Sequence, residues 1–173
     1  MSPSESTPAL PTATRPRRSW IPWALAIIAL ILAGLRTQFR LIVVKGDSMV
    51  PTLHSGDLLV VSTRAYVEAT PERGDLVIVR HQGELMVKRV VGLPGEVVDT
   101  RNGHVFVDDR PLAEKGYDTL PGRLEIRPGR VIDDSYAVLG DNRSLPPAVL
   151  VHAVVPKSGI VGRVIGSLRL WPR

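Results

Sequence analysis

The sequence predicts a mainly β domain, a folded sheet or barrel, behind one N-terminal transmembrane helix. Three observations carry this expectation. Short Val- and Leu-rich runs recur from about Leu41 onward, punctuated by Gly, Pro, Asp and Asn, which is the texture of strands and turns. No long segment with a 3.6-residue hydrophobic period lies outside the N-terminal region. The stretch WIPWALAIIALILAGL, residues 20–35, holds no charged residue, as expected of a segment that meets a bilayer.

Taken in chain order, residues 1–19 are rich in Ser, Thr and Pro. They carry too few large apolar side chains to fold alone and read as a disordered tail. Residues 20–36 read as the transmembrane signal-anchor. Trp20 and Trp23 suit a membrane interface and Pro22 suits a first helical turn. A cleaved signal peptide is the competing reading, but Ala33 and Gly34 run on into Leu35 and Arg36 without a good small-x-small site. Arg15, Arg17 and Arg18 lie before the anchor, and Arg36, Arg40 and Lys45 after it, so charge does not orient it. Residues 37–173 read as the β-rich domain. Its strand candidates are 57–61, 75–79, 86–91, 96–98, 104–107, 136–139 and 160–171. Asn102-Gly103 is a strong hairpin turn signal, within an expected hairpin insertion at about 93–135.

The 173 residues suit one compact domain with an appendage, and 44% apolar content supplies a core built from Val, Leu and Ile. Cysteine is absent, which removes disulfides, thiolate metal sites and cysteine nucleophiles. The net charge of +5 is not concentrated in a basic block with interleaved aromatics, so no nucleic-acid partner is expected. His54, His81, His104 and His152 are scattered, with no i,i+4 pair. Asp108-Asp109 and Asp133-Asp134 lack calcium-loop spacing. The expectation is therefore no metal and no cofactor.

Two segments carry possible chemistry. In VKGDSMVPTL, residues 44–53, Ser48 sits in a small, polar, turn-forming stretch just past the apolar run. In MVKRVV, residues 86–91, alternation puts Met86, Lys88 and Val90 on one face and Val87, Arg89 and Val91 on the other. At least one of two adjacent cations then projects into apolar surroundings. Burial lowers a lysine pKa, and a neutral amine can serve as a general base. A serine hydroxyl needs such a base to become a nucleophile. The 40-residue separation of Ser48 and Lys88 permits contact but does not select it.

The combination resembles bacterial type I signal peptidase, the membrane-anchored serine–lysine protease family. GDSMVPTL (46–53), SGDLLVV (55–61), RGDLVIVR with MVKRVVGLPGEVV (73–80, 86–98), GDNR (140–143) and VVPKSGIVGRV (154–164) stand in the family's order behind an anchor. The resemblance implies Ser48 as nucleophile, Lys88 as general base and the Ser48 amide as an oxyanion donor. It implies supporting positions at Gly46, Asp141, Asn142 and Arg143. It implies a single-pass cell-membrane protein with a cytoplasmic N-terminus and an extracytoplasmic catalytic domain. The implied partners are the lipid bilayer and secretory preproteins with small residues at −1 and −3. An extended substrate could add as a strand beside Ser48 and Lys88, its small side chains facing Val44, Met49, Leu53, Met86 and Val87. Met49 and Leu53 read equally as core.

The chain departs from the family pattern after GDNR. Pro146, Ala148 and Leu150 stand where a serine, an aspartate and an arginine are usual, and Ser144 is a candidate replacement partner for the lysine. Asp141 and Arg143 read equally as a turn with a local ion pair, and Asp57 and Asp75 as strand-entry turn residues. The alternatives to a general signal peptidase are a maturation protease dedicated to one substrate and a non-catalytic, membrane-tethered peptide-binding relative.

Overall fold

The computed structural model describes residues 20–81, 83–145 and 153–169, with the side chains of residues 35–37 and 153 left out. The expected disordered tail, residues 1–19, lies outside the described residues. The chain divides into two units, residues 1–34 and 35–173. The helix α1, Ile21–Gln38, begins in the first. Trp20, just before it, and its large apolar side chains from Ile21 to Leu32 are exposed. Among the described residues no helix is long and apolar enough to cross a membrane.

The second unit is built from strands, as the Val/Leu texture predicts. In chain order these are β1 (Phe39–Val43), β2 (Leu58–Ser62), β3 (Leu76–His81), β4 (Glu84–Gly92), β5 (Val97–Arg101), β6 (His104–Val107), β7 (Arg110–Pro111), β8 (Ile126–Arg130), β9 (Ser135–Leu139), β10 (Ala153–Pro156) and β11 (Ile160–Leu168). Seven of them form one antiparallel sheet in the order β1-β2-β11-β3-β4-β9-β10. The other four form a second antiparallel sheet, β7-β6-β5-β8.

The hairpin expected at about 93–135 is thus part of a four-stranded sheet. Asn102 and Gly103, at φ 50° and 77°, make its tight turn, and two residues of positive φ match the twist of a two-residue hairpin. The sequence reading lacks β8 because IRPGR has neither alternation nor a β-branched run. It forms a strand because it lies at the sheet edge, where Pro128 has no ladder bond to lose.

Burial explains the composition of the central strands. On β3, Val77 and Val79 join one core cluster with Val90, Tyr136 and Val138. Ile78, between them, joins another with Val44, Met49, Leu53, Leu59 and Val61. A strand buried on both faces reads as a continuous apolar run. A third cluster, Val91, Val105, Leu124, Val131, Ala137 and Leu139, joins side chains from the two sheets.

Candidate active site

Ser48 lies in a compact turn between β1 and β2. The Val50 amide donates to the Asp47 carbonyl at 3.2 Å, and the Leu53 amide to the Met49 carbonyl at 2.9 Å. That second bond closes a five-residue turn from Met49 to Leu53. Both are 1% exposed and belong to the core cluster beneath the turn. They anchor the turn that carries Ser48 and do not line the neighbouring cleft. Of their two sequence readings, core is the one the structure supports.

Lys88 lies on β4, opposite Val77 of β3. Its side chain is 3% exposed, and its Nζ stands 3.2 Å from Ser48 Oγ. Among the described residues no other side chain hydrogen-bonds it. Burial pushes the Lys88 ammonium below its ordinary value, and the Asp141 carboxylate opposes that shift without cancelling it. Desolvation disfavours the charged form of any lysine, so a neutral amine is more accessible here than in water. Ser144, the candidate replacement partner, instead donates from Oγ to Asn142 Oδ1. It is exposed at the end of GDNR and closes that turn on itself. Positions 146, 148 and 150 lie outside the described residues.

Both adjacent cations of MVKRVV are buried, and they are satisfied differently. Arg89 Nε donates to Asp141 Oδ1 at 2.9 Å and its Nη2 to Asp141 Oδ2 at 2.6 Å. Its Nη1 donates to the Gly74 carbonyl at 2.8 Å. The guanidinium lies over the Tyr117 ring, 3.7 Å from the centroid. Thr52 Oγ1 donates to Asp141 Oδ2 at 2.6 Å. Asp141 therefore ties the strand carrying Lys88 to the turn carrying Ser48.

Asn142 completes the tie. Its amide donates to the Ser48 carbonyl at 3.1 Å, and its Nδ2 to the Asp47 carbonyl at 3.0 Å. The local ion pair expected between Asp141 and Arg143 does not form. Arg143 donates to Glu114 at 2.8 Å and, from Nε, to the Gly140 carbonyl. Asp141 and Arg143 stand two apart in the turn, and each charge has its partner elsewhere. Asp57 and Asp75 match their turn reading. Asp57 accepts from the His54 amide and Asp75 from the Glu72 amide.

A cleft of about 590 Å³ runs from this pair. Ile42 to Ser48 form one wall and Glu84 to Lys88 the other, with Leu59, Ile78 and Leu145 completing it. Val44, Met86, Val87 and Gly46 of the sequence-predicted set line it. Gly46 adopts φ +82° with open space beside it, so the left-handed backbone and not a steric clash favours glycine there. Ile42, Leu59, Ile78 and Leu145 are lining residues the sequence reading lacks. Leu59 and Ile78 fall in the apolar runs 57–61 and 75–79 and Leu145 lies outside any strand, so only the fold places them beside Ser48. Among the described residues, no group of three or more His, Asp or Glu could hold a metal ion.

Comparison with known proteins adds an independent line. The family model described as signal peptidase, peptidase S26, matches residues 17–171. A signal peptidase I from Leptolyngbya laminosa is 35% identical over 189 residues, covering 99% of this chain and 91% of that protein. A probable signal peptidase I-2 from Synechocystis sp. is 34% identical over 170 residues, 91% of this chain and 76% of its own length. Signal peptidase I S of Bacillus subtilis is 34% identical over 142 residues, 73% of this chain and 76% of its own. A crystal structure of a signal peptidase I from Enterococcus faecalis is 25% identical, with a TM-score of 0.42 over 55% of this chain and 97% of that one. With the family match spanning most of its length, the chain belongs to the signal peptidase family, peptidase S26, and is a serine endopeptidase.

Proposed function

We propose that the chain removes N-terminal signal peptides from secretory preproteins by a Ser48–Lys88 dyad. The observation that carries this reading is the 3.2 Å approach of Lys88 Nζ to Ser48 Oγ at the end of an open cleft. The neutral Lys88 amine accepts the Ser48 proton while Oγ bonds to the scissile carbonyl carbon. The tetrahedral intermediate collapses as the C–N bond breaks. The Lys88 ammonium returns its proton to the leaving amine, leaving an acyl-serine. Lys88 then takes a proton from water, whose oxygen attacks the ester, and returns that proton to Ser48 as the signal-peptide carboxylate departs. No described residue accepts a hydrogen bond from the Ser48 amide, which leaves that donor for the developing oxyanion.

The cleft suits an extended peptide, because strand-like backbone from both walls flanks it. In an extended chain, residues −1 and −3 point to the same side. The wall they would meet is made by Val44, Met86 and Val87, backed by Ile78 and Leu145. Such a wall admits alanine-sized side chains at both positions. Gly46, Asp141, Asn142 and Arg143 act in support, holding the nucleophile turn.

The helix α1, without a charged residue from Ile21 to Leu35 and with its large side chains exposed from Ile21 to Leu32, is the proposed membrane anchor. Its 18 residues extend about 27 Å against a hydrocarbon core of about 30 Å, so flanking residues complete the span. Residues 20–36 then form the anchor, 1–19 a cytoplasmic tail and 37–173 an extracytoplasmic peptidase domain. Enzyme and membrane-bound preprotein share one plane, which raises their effective concentration.

A preprotein carrying an Ala-x-Ala site tests the substrate assignment. N-terminal sequencing of the product should place the cut directly after the second alanine. Leucine in place of that alanine should abolish cleavage, and continued cleavage of the leucine substrate would sink the small-residue reading.

A further inference from the structure

The segment that follows GDNR, residues 144–150, carries no charge. Asp141 and Arg143 nevertheless have their carboxylate and guanidinium buried, at 0% and 1% exposure. Buried charges need partners, and here the partnering comes from a distance. Arg89 neutralises Asp141, and Glu114 neutralises Arg143. The loop between β7 and β8 serves both pairs. Its Glu114 holds Arg143 directly, and its Tyr117 ring covers the face of the Arg89 guanidinium at 3.7 Å. Tyr117 OH also donates to Glu114 Oε1 at 3.3 Å.

This loop is pinned on the GDNR segment by backbone. The Leu120 amide donates to the Asp141 carbonyl at 3.0 Å, and the Arg143 amide to the Leu120 carbonyl at 2.9 Å. The approach is so close that a Cβ on Gly122 would lie 1.7 Å from the Arg143 carbonyl oxygen. The position of Tyr117 is therefore set by the same contacts that set Asp141.

From the ring, contacts run without a break to the nucleophile turn. Arg89 grips both oxygens of Asp141, and Asp141 accepts from Thr52. Thr52 belongs to the turn that starts at Ser48. The guanidinium's edge is held by Asp141, Gly74 and Thr52, and its face by the Tyr117 ring, through attraction of cation to π-electrons. Tyr117 is not on the cleft wall, so it touches no bound peptide there.

We propose that Tyr117 is a positioning residue for the peptidase reaction, fixing the Arg89 guanidinium and, through Asp141 and Thr52, the turn that presents Ser48 to Lys88. The proposal rests on the Ser48–Lys88 reading. It assigns a functional role to a loop of the second sheet. It also makes an aromatic face, not a hydroxyl, the property that matters at position 117.

The test is preprotein cleavage by the detergent-solubilised full chain, with kcat and KM resolved for Tyr117→Leu and Tyr117→Phe. Losing the ring should lower kcat about tenfold with KM unchanged, whereas Tyr117→Phe should stay within about twofold of the parent. Thermal denaturation accompanies each variant. If Tyr117→Leu is too unstable to assay, Tyr117→Met keeps the apolar bulk without a π face and takes its place. A parent-like kcat in the ring-less variant, or equal losses in the Leu and Phe variants, overturns the proposal. Ser48→Ala and Lys88→Ala run in the same assay separate the two levels. Cleavage by either would remove the dyad and the proposal together. If both are inactive while Tyr117→Leu keeps its kcat, the Tyr117 assignment alone falls.

Discussion

Arg89 and Asp141, 52 residues apart, form a two-pronged buried pair, with Nε–Oδ1 at 2.9 Å and Nη2–Oδ2 at 2.6 Å. The carboxylate is 0% exposed. Breaking such a pair leaves one charge buried and unpaired, which costs about 3–5 kcal/mol. Urea denaturation of Asp141→Ala and of Arg89→Leu should each show a loss of that size. The double variant should lose clearly less than the sum, because no orphaned charge remains. Additive losses would show that the two side chains do not act as a pair.

Lys88 carries the opposite sign of effect. Its folded pKa lies below its unfolded value because burial penalises the ammonium. The unfolded chain therefore binds more protons between those two values, and stability rises with pH across that window. Below the folded value the native state bears the full penalty. Above the ordinary lysine value the penalty is gone. Lys88→Met should be inactive yet more stable than the parent at neutral pH, by about 1 kcal/mol or more. That advantage should shrink as pH rises through the window. In the parent, cleavage should rise with pH as Lys88 loses its proton. A Lys88→Met protein less stable than the parent at pH 7 would contradict this account.

Leu53 and Val87 separate packing from the cleft. Leu53 is core, and Val87 is half-buried on the cleft wall. Leu53→Ala should cost about 2–5 kcal/mol of stability. Its folded fraction should keep the parent's preference at −1 and −3. Val87→Ala should cost less and should broaden the side chains tolerated there. Measuring stability and product spectra for the two variants checks the assignment. Reversed phenotypes would place Leu53 on the wall.

If α1 is the anchor, the full chain expressed in bacteria should sediment with membranes. It should resist alkaline carbonate extraction, which releases peripheral proteins. Release into the carbonate supernatant would remove the anchor.

The parts of this protein legible in its sequence are those set by local periodicity. The strands at 57–61, 75–79 and 86–91 were readable because apolar side chains repeat along them, and Asn102-Gly103 marked its own turn. The proposed dyad residues were singled out through the order of GDSM, MVKR and GDNR, since their separation of 40 positions carries no local mark of contact. What escaped is set by tertiary neighbours. Arg89 finds its carboxylate across 52 residues, and Tyr117 lies in a loop whose residues show no period. Alternation could not say that the turn after Ser48 buries both Met49 and Leu53 in one core cluster. It also gave no hint of β8, held at its edge by β5 alone.

The most direct measurement is cleavage of an Ala-x-Ala preprotein by the detergent-solubilised chain beside its Ser48→Ala and Lys88→Ala variants, all confirmed folded. The account predicts cleavage by the parent and none above background by either variant. Because the two residues act as one unit, the double variant should be no worse than the singles. Residual cleavage by Lys88→Ala at near-parent rate would contradict the account, since no other described side chain stands ready to take the Ser48 proton.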